Sequence, residues 1–204
     1  MTSIIGVILA GGLSSRMGGG DKTLLSLQHK PILQHVIDRL APQVDELIIN
    51  ANGDAKRFEN FNLPVVADTV GDYAGPLAGI LAGLEWITKH HPHTPWMISV
   101  SGDTPFLPLN LVAQLLKTVE KNKSLLAVVR TQGFCHPTIG LWKTELTQNL
   151  RHALVEEQLH KVDRFTARYP LSIVDFDHTP FDPFFNINTP DELALAERFL
   201  REDE

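Results

Sequence analysis

Ile4-Ile5-Gly6-Val7-Ile8-Leu9 runs without a break into Ala10-Gly11-Gly12-Leu13-Ser14-Ser15-Arg16-Met17-Gly18-Gly19-Gly20-Asp21-Lys22. The first six residues are continuous, apolar and rich in β-branched side chains, the pattern of a strand buried on both faces of a parallel sheet. A loop at the carboxyl end of such a strand is where α/β folds bind ligands. Glycines there let backbone N–H groups approach phosphate oxygens closely. Arg16 and Lys22 bring cations to a chain whose formal net charge is −6. Arginine can grip a phosphate with two parallel hydrogen bonds, and lysine can follow it as a point charge. The loop matches neither familiar phosphate motif: Asp21 precedes Lys22 where a P-loop needs glycine, and Thr23 stands where the dinucleotide fingerprint needs its third glycine. A glycine run alone reads as a surface loop. The strand before it and the two spaced cations turn the reading towards anion binding.

Outward from this loop, apolar runs alternate with amphipathic segments. Ile32, Val36, Ile37 and Leu40 keep a helical stripe from Pro31 to Leu40, with proline at a first helical position. Leu47-Ile48-Ile49 and Val65-Val66-Ala67 read as strands. Leu77, Ile80, Leu81 and Leu84 follow helical spacing, Met97-Ile98-Ser99-Val100 is a strand, Val112, Leu115, Leu116 and Val119 are helical again, and Leu125 to Val129 returns to strand. Thr189-Pro190-Asp191-Glu192 is a capping box that opens a terminal helix running to about Arg201. The alternation predicts a single α/β domain over residues 1–204, Rossmann-like and three-layered, with a mostly parallel sheet and helices on both faces. Ile139 to Trp142 and Leu171 to Phe176 supply later strands, for which an antiparallel course is open.

Composition narrows the function. A hydrophobic fraction of 43% and a charged fraction of 21% are ordinary for a globular protein. No apolar run approaches the roughly 20 residues that span a bilayer, and Met1-Thr2-Ser3-Ile4 lacks the basic start of a signal peptide. The acidic balance argues against general nucleic-acid binding. The single cysteine, Cys135, excludes an internal disulfide, suits a reducing cytoplasm, and reads as a packed or incidental thiol.

Two aspartates end strands on the side of the loop. Asp68 follows Val65-Val66-Ala67, and Asp103 lies in Ser101-Gly102-Asp103-Thr104-Pro105. Each alone would be a turn former or a helix cap, Asp103 for the helix after Pro108. Converging on one sheet edge, they offer Mg²⁺ the carboxylates it prefers beside phosphate oxygens and water. Gly75-Pro76 opens the next helix with free amides that suit an anion. Gly75, Gly79 and Gly83 bare one helix face, for close packing or for close approach of a ligand. His90-His91-Pro92-His93 matches no zinc spacing and reads as a solvated loop. The charged run from Glu156 to Arg168 reads as a solvated helix face.

Assembled, these residues resemble the molybdenum cofactor guanylyltransferase family. Leu9-Ala10-Gly11-Gly12, Ser15-Arg16-Met17-Gly18 and Lys22 carry its opening pattern. Asn50-Ala51-Asn52, Asp68, Gly75-Pro76-Leu77-Ala78-Gly79, Asp103-Thr104-Pro105, His136-Pro137-Thr138 and Asn186-Ile187-Asn188-Thr189-Pro190 follow in the family's order. Ser101-Gly102 departs from the Pro-Cys often found there, which changes a loop and leaves the carboxylate. The resemblance implies transfer of GMP from GTP to the terminal phosphate of molybdopterin, with release of pyrophosphate. It implies that Leu9, Ala10, Gly11, Lys22, Asn50, Asp68 and Asp103 contact GTP, and that Asp103 binds Mg²⁺, with Mn²⁺ as a substitute. Gly79, His136, Asn186 and Asn188 would face molybdopterin, while Arg16, Lys22 and Asp103 would act in catalysis. The donor part would occupy about residues 1–105 and the acceptor part 106–204. Partners would be the two substrates and, transiently, cofactor-insertion proteins or molybdoenzymes, with no nucleic acid and no membrane.

Three other readings stand beside this one. A cytidylyltransferase on the same pterin resembles the chain closely but carries Leu-Ala-Ala-Gly, so Gly11 favours guanine. A sugar-nucleotide pyrophosphorylase shares the opening loop and fits the His136 and Asn186 blocks poorly. A non-catalytic nucleotide-binding regulator would be expected to lack Lys22 or Asp103, and both are present.

Overall fold

The computed structural model describes residues 2–11, 21–71 and 75–202; Arg16 and Asp72-Tyr73-Ala74 lie outside them. In chain order the elements are β1 (Ile4–Leu9), β2 (Ser26–Leu27), β3 (Lys30–Pro31), α1 (Ile32–Leu40), β4 (Glu46–Asn50), β5 (Val65–Val66), α2 (Pro76–His90), β6 (Trp96–Ser101), α3 (Leu111–Asn122), β7 (Leu126–Thr131), β8 (Phe134–Lys143), α4 (Thr147–Val155), α5 (Val162–Thr166), β9 (Leu171–Asp175) and α6 (Pro190–Glu202). The main sheet runs β5-β4-β1-β6-β8-β7-β9, and β2 and β3 form a small separate hairpin. β1 is the pivot, parallel to β4 on one side and to β6 on the other. Its side chains alternate as a strand must: Ile4 and Ile8 join the layer of α1 and α3, whereas Ile5 and Val7 join the layer of α2, α4 and α5. Helices therefore cover both faces, and the continuous apolar run is explained by burial on both sides.

α1 shows how the local pattern becomes packing. Leu33, Val36 and Leu40 are all fully buried, each stabilising the fold by about 1.5–3 kcal/mol relative to exposure. The helix starts one residue later than its proline suggests, because Pro31 pairs with Ser26 in the hairpin. On the opposite face α2 lies close to the sheet. A Cβ at Gly83 would stand 2.7 Å from Val7 Cγ2 and 3.0 Å from Met97 Sδ, so this glycine serves packing.

Two expectations need correction. β8 is antiparallel to both β6 and β7, but β9 is parallel to β7, so only the first of the two later strands reverses. The chain turns between β7 and β8 through Gln132 and Gly133, both with positive φ (48° and 82°), a two-residue hairpin connection. α4 and α5 leave the end of β8 near Leu126 and return the chain to the same end of the sheet at Leu171, so β9 runs opposite to β8 and therefore parallel to β7. The run from Glu156 to Arg168 is not simply a solvated face: α5 buries Val162, Phe165 and Thr166. Phe165 stacks 6.4 Å from the ring of Trp142.

The end of the chain is fastened by aromatics and by its capping box. Phe181 stacks on Phe199 at 4.6 Å, with Phe106 and Phe185 against the same ring. Thr189 Oγ1 accepts the N–H of Glu192 at 3.2 Å, and Glu192 Oε2 accepts the N–H of Asn188 at 2.7 Å. The box thus reaches back to Asn188 rather than to Thr189 itself. Among the described residues no helix is long and apolar enough to cross a membrane.

Candidate active site

The carboxyl ends of β1, β4, β5 and β6 share one edge, and the residues expected to bind ligand gather along it. Leu9 ends β1 and Asn50 ends β4, while Asp68 and Asp103 lie two residues beyond β5 and β6. The two aspartates are separated by three strand spacings, on the order of 14 Å. They therefore serve two different ends of the edge and cannot share one metal ion.

At the β5 end, Asn50 Nδ2 donates to Asp68 Oδ1 at 2.9 Å and to the Val66 carbonyl at 3.1 Å. Asn52 Nδ2 donates to Asp68 Oδ2 at 2.8 Å, and the Asp68 N–H donates to Asn52 Oδ1 at 2.9 Å. Asp68 is thereby fixed in both rotation and tilt, pre-organised for a ligand. Gly79 on α2 backs this arrangement: a Cβ there would lie 2.2 Å from Asn50 Oδ1 and 2.9 Å from Leu9 Cδ2. The structure thus brings Gly79 to Asn50 and Leu9, residues expected to contact GTP, rather than to His136. Among the described residues, a Cβ at Gly11 would meet only Ala51 Cα, at 4.0 Å. Ala10 donates its N–H to the Asn50 carbonyl at 2.8 Å, tying the end of β1 to the end of β4.

At the β6 end, Lys22 Nζ pairs with Asp103 Oδ2 and donates to Asn188 Oδ1 at 2.6 Å. Side-chain exposures of 16% and 9% for Lys22 and Asp103 put the pair largely out of water, where an unpaired charge would cost several kcal/mol. The segment after the aromatic cluster closes over this pair residue by residue. Asn186 Oδ1 accepts from Thr104 Oγ1 at 2.9 Å, the Ile187 N–H donates to the Asp103 carbonyl at 3.0 Å, and Asn188 holds Lys22. Asp103 does not cap α3, whose N-cap is Asn110.

The residues fit a hard cation. Asp103 Oδ1 is buried and lacks a hydrogen-bond partner among the described residues, a state that buried polar atoms avoid unless a ligand completes them. No group of three or more His, Cys, Asp or Glu side chains suited to a metal occurs among the described residues. A cation here would take one carboxylate oxygen and complete its shell from phosphate oxygens and water, which is the habit of Mg²⁺.

His136 stands on β8 beyond Thr138, whose hydroxyl meets that of Ser101 at 3.0 Å. Its Nε2 lies 2.8 Å from Thr131 Oγ1, and that hydroxyl donates to Asp182 Oδ2 at 3.2 Å. The ring packs 5.2 Å from that of Phe184. Burial pushes the imidazole pKa down, with Asp182 opposing. Among the described residues no hydrogen bond, ion pair or ring contact joins His136 to Lys22 or Asp103.

Arg16 lies outside the described residues. Arg57 is the functional candidate that the sequence did not single out: it pairs with Asp21 at the exit of the glycine-rich loop, and no spacing or motif marks it. Cys135 is an exposed free thiol. His91 pairs with Glu46 at 3.0 Å and stacks on Trp86, so the histidine run packs on the surface.

Comparison with known proteins agrees with this geometry. A solved structure, molybdopterin-guanine dinucleotide biosynthesis protein A from Archaeoglobus fulgidus, shares the fold with a TM-score of 0.74 at 23% identity, covering 97% of this chain and 99% of that one. A molybdenum cofactor guanylyltransferase of Rhodopseudomonas palustris (strain BisB5) is 52% identical over 97% of this chain and 94% of its own length. Another of that name, from Bradyrhizobium sp. (strain ORS 278), is 52% identical over 97% and 93%. The model of the MobA-like NTP transferase domain matches residues 6–171, a span that holds Leu9, Lys22, Asn50, Asp68 and Asp103. That span covers most of the chain, as do the two relatives, and the chain belongs to the MobA-like NTP transferase family.

Proposed function

We propose that the protein transfers GMP from GTP to the terminal phosphate of molybdopterin, forming molybdopterin guanine dinucleotide and pyrophosphate. The observation that carries this reading is the joining of Lys22, Asp103 and Asn188 at the edge that also holds the Asn50–Asp68 pair. One end suits a nucleoside and the other a polyphosphate, and the relatives so named span nearly the whole chain. The donor part would be about 1–105 and the acceptor part about 106–204, with Asn188 reaching from the second into the first. The named activity would place the protein in the cytoplasm and would call for transient contact with cofactor-insertion proteins or molybdoenzymes.

The reaction forms one P–O bond, from an acceptor phosphate oxygen to the α-phosphorus, and breaks the bond from that phosphorus to the β-phosphate bridge. The attacking oxygen is already anionic, so positioning and charge stabilisation carry the step. Asn50, Asp68, Leu9, Ala10 and Gly11 would hold the nucleoside end. Lys22 has three N–H donors, of which Asp103 and Asn188 take two; the third would meet the departing pyrophosphate, with Arg16 beside it. Asp103 would hold Mg²⁺, which when bound neutralises phosphate charge and polarises the α-phosphorus. Asn186, Asn188 and His136 would orient the acceptor.

Magnesium-dependent pyrophosphate release, measured with molybdopterin and each of GTP, ATP, CTP and UTP, tests the reading. Preference for GTP together with loss of release in Asp103→Ala is expected. Preference for CTP would overturn the base assignment, and no release with any nucleotide would leave a nucleotide-binding regulator.

A further inference from the structure

Arg57 has no part in the reaction as described above, yet it touches both ends of the donor edge. It lies in the short 3-10 helix Ala55–Phe61 between β4 and β5. Its guanidinium pairs with Asp21, and its Nη2 donates to the Asn52 carbonyl at 2.6 Å. Its Cζ lies 4.9 Å from the ring centroid of Phe58, which is fully buried. A planar fork seated on a fixed ring can meet two partners with little loss of freedom, which lysine cannot match. Asp21 directly precedes Lys22, and Asn52 holds Asp68 by two hydrogen bonds. One cation therefore links the phosphate end of the edge to its nucleoside end.

The charge matters as much as the link. Asp21 sets a carboxylate, 17% exposed, at the exit of the loop that would receive the most highly charged part of the substrate. Left alone it would repel the triphosphate and compete for Lys22. Ion pairs in water contribute little, but this one is shielded and held on two further contacts.

We propose that Arg57 is a positioning residue of the donor site, which neutralises Asp21 and ties Asp21, and with it Lys22, to the Asn52–Asp68 pair. The inference rests on the nucleotide-binding reading. Its test is calorimetric titration of the full chain with Mg·GTP, alongside thermal unfolding, for wild type, Arg57→Met, Arg57→Lys, Asp21→Asn and the double variant Asp21→Asn/Arg57→Met. Methionine keeps the stem over Phe58 and removes the charge, so folding is preserved. Arg57→Met is expected to weaken GTP binding about tenfold and Arg57→Lys about threefold, the scale of one charged hydrogen bond and a part of it. The double variant is expected to bind better than Arg57→Met alone, since the charge left uncovered has gone. Wild-type affinity in Arg57→Met, or strictly additive losses in the double variant, would overturn the proposal. If the wild type selects CTP, the base assignment fails while the same series run with CTP still decides Arg57. If the folded wild type binds no nucleotide, both fall.

Discussion

Gly79→Ala and Gly83→Ala insert the same methyl group one helical turn apart on α2, and their consequences should separate. Both gain up to about 1 kcal/mol from replacing glycine within a helix. Both also overpack a tight contact, which costs about 1–3 kcal/mol. At position 83 the methyl meets Val7 and Met97 side chains, with the nearest atom at 2.7 Å, and the damage stays in the core. At position 79 it would overlap Asn50 Oδ1 at 2.2 Å, so Asn50 must rotate or α2 must lift. Rotation breaks the 2.9 Å hydrogen bond to Asp68, and a hydrogen bond to a charged group is worth about 1.5–3 kcal/mol. If Asp68 binds the donor as proposed, that loss corresponds to a fall of about 10- to 100-fold in kcat/KM for GTP. Gly83→Ala should lose about 2–8 °C in Tm, from a net cost of about 1–2 kcal/mol in a domain of this size, and Gly79→Ala more, by the lost hydrogen bond. Pyrophosphate release and thermal unfolding on the two purified variants decide the matter. Equal activities at equal stability would refute the idea that Gly79 exists to admit the Asn50 side chain.

Further outcomes follow from other contacts. Lys22→Ala should lower kcat/KM for pyrophosphate release by about 10²–10³, more than its effect on Tm would suggest; wild-type rates would remove Lys22 from the mechanism. Ser99 is fully buried, donates to the Thr138 carbonyl at 2.8 Å and accepts from Trp142 Nε1 at 2.8 Å. Ser99→Ala orphans that indole N–H and should cost about 1–3 kcal/mol, read as a lower denaturant midpoint; if the hydrogen bond is the cause, the same change should cost less in a Trp142→Phe background than in the wild type. Burial lowers the His136 pKa in the fold, so below the ordinary imidazole value, about 6.5, the unfolded chain binds the proton more readily. Stability should therefore be full above that value and fall as pH drops through and below it. His136→Gln should show a shallower drop in Tm between pH 7 and pH 5, and an unchanged slope would contradict the assignment.

Much of this was legible because it is local. β1 announces itself through a continuous apolar run, and Thr189 to Glu192 write the start of α6 in side chains that bond within the helix itself; the glycine run that follows Gly11, with Arg16, lies outside the described residues. Strand direction was not legible in the same way. β9 runs parallel to β7 because β8 reverses at the hairpin and α4 and α5 bring the chain back to the end where β8 finishes, on the far side of β7. That is a non-local consequence, although Gln132-Gly133 between two apolar runs was a hairpin signal available in the sequence. α5 was obscured because charges surround Val162, Phe165 and Thr166, whose helical spacing nevertheless marks a buried face. In the site, strand ends placed Asp68 and Asp103 on one edge, as the structure has them, whereas Asn50 came from the family resemblance. Their division between two ends depended on strand order β5-β4-β1-β6, which periodicity does not encode. Arg57 was invisible for a related reason: its meaning lies in Asp21, which only the folded chain brings near.

The hydrogen bond between Lys22 and Asn188 spans 166 positions, and it gives the protein a schedule as well as a shape. A chain emerging from the ribosome can complete β1, β4, β5 and β6, and so the nucleoside end of its edge, long before residues 186–188 exist. Until they arrive, Lys22 lacks one of its two partners and Asp103 lacks the backbone contact from Ile187. The reactive end is thus the last part of the site to be assembled, by a segment that long-range closure makes slow to dock. A nascent or truncated chain should hold a half-built site at which transfer is not yet possible.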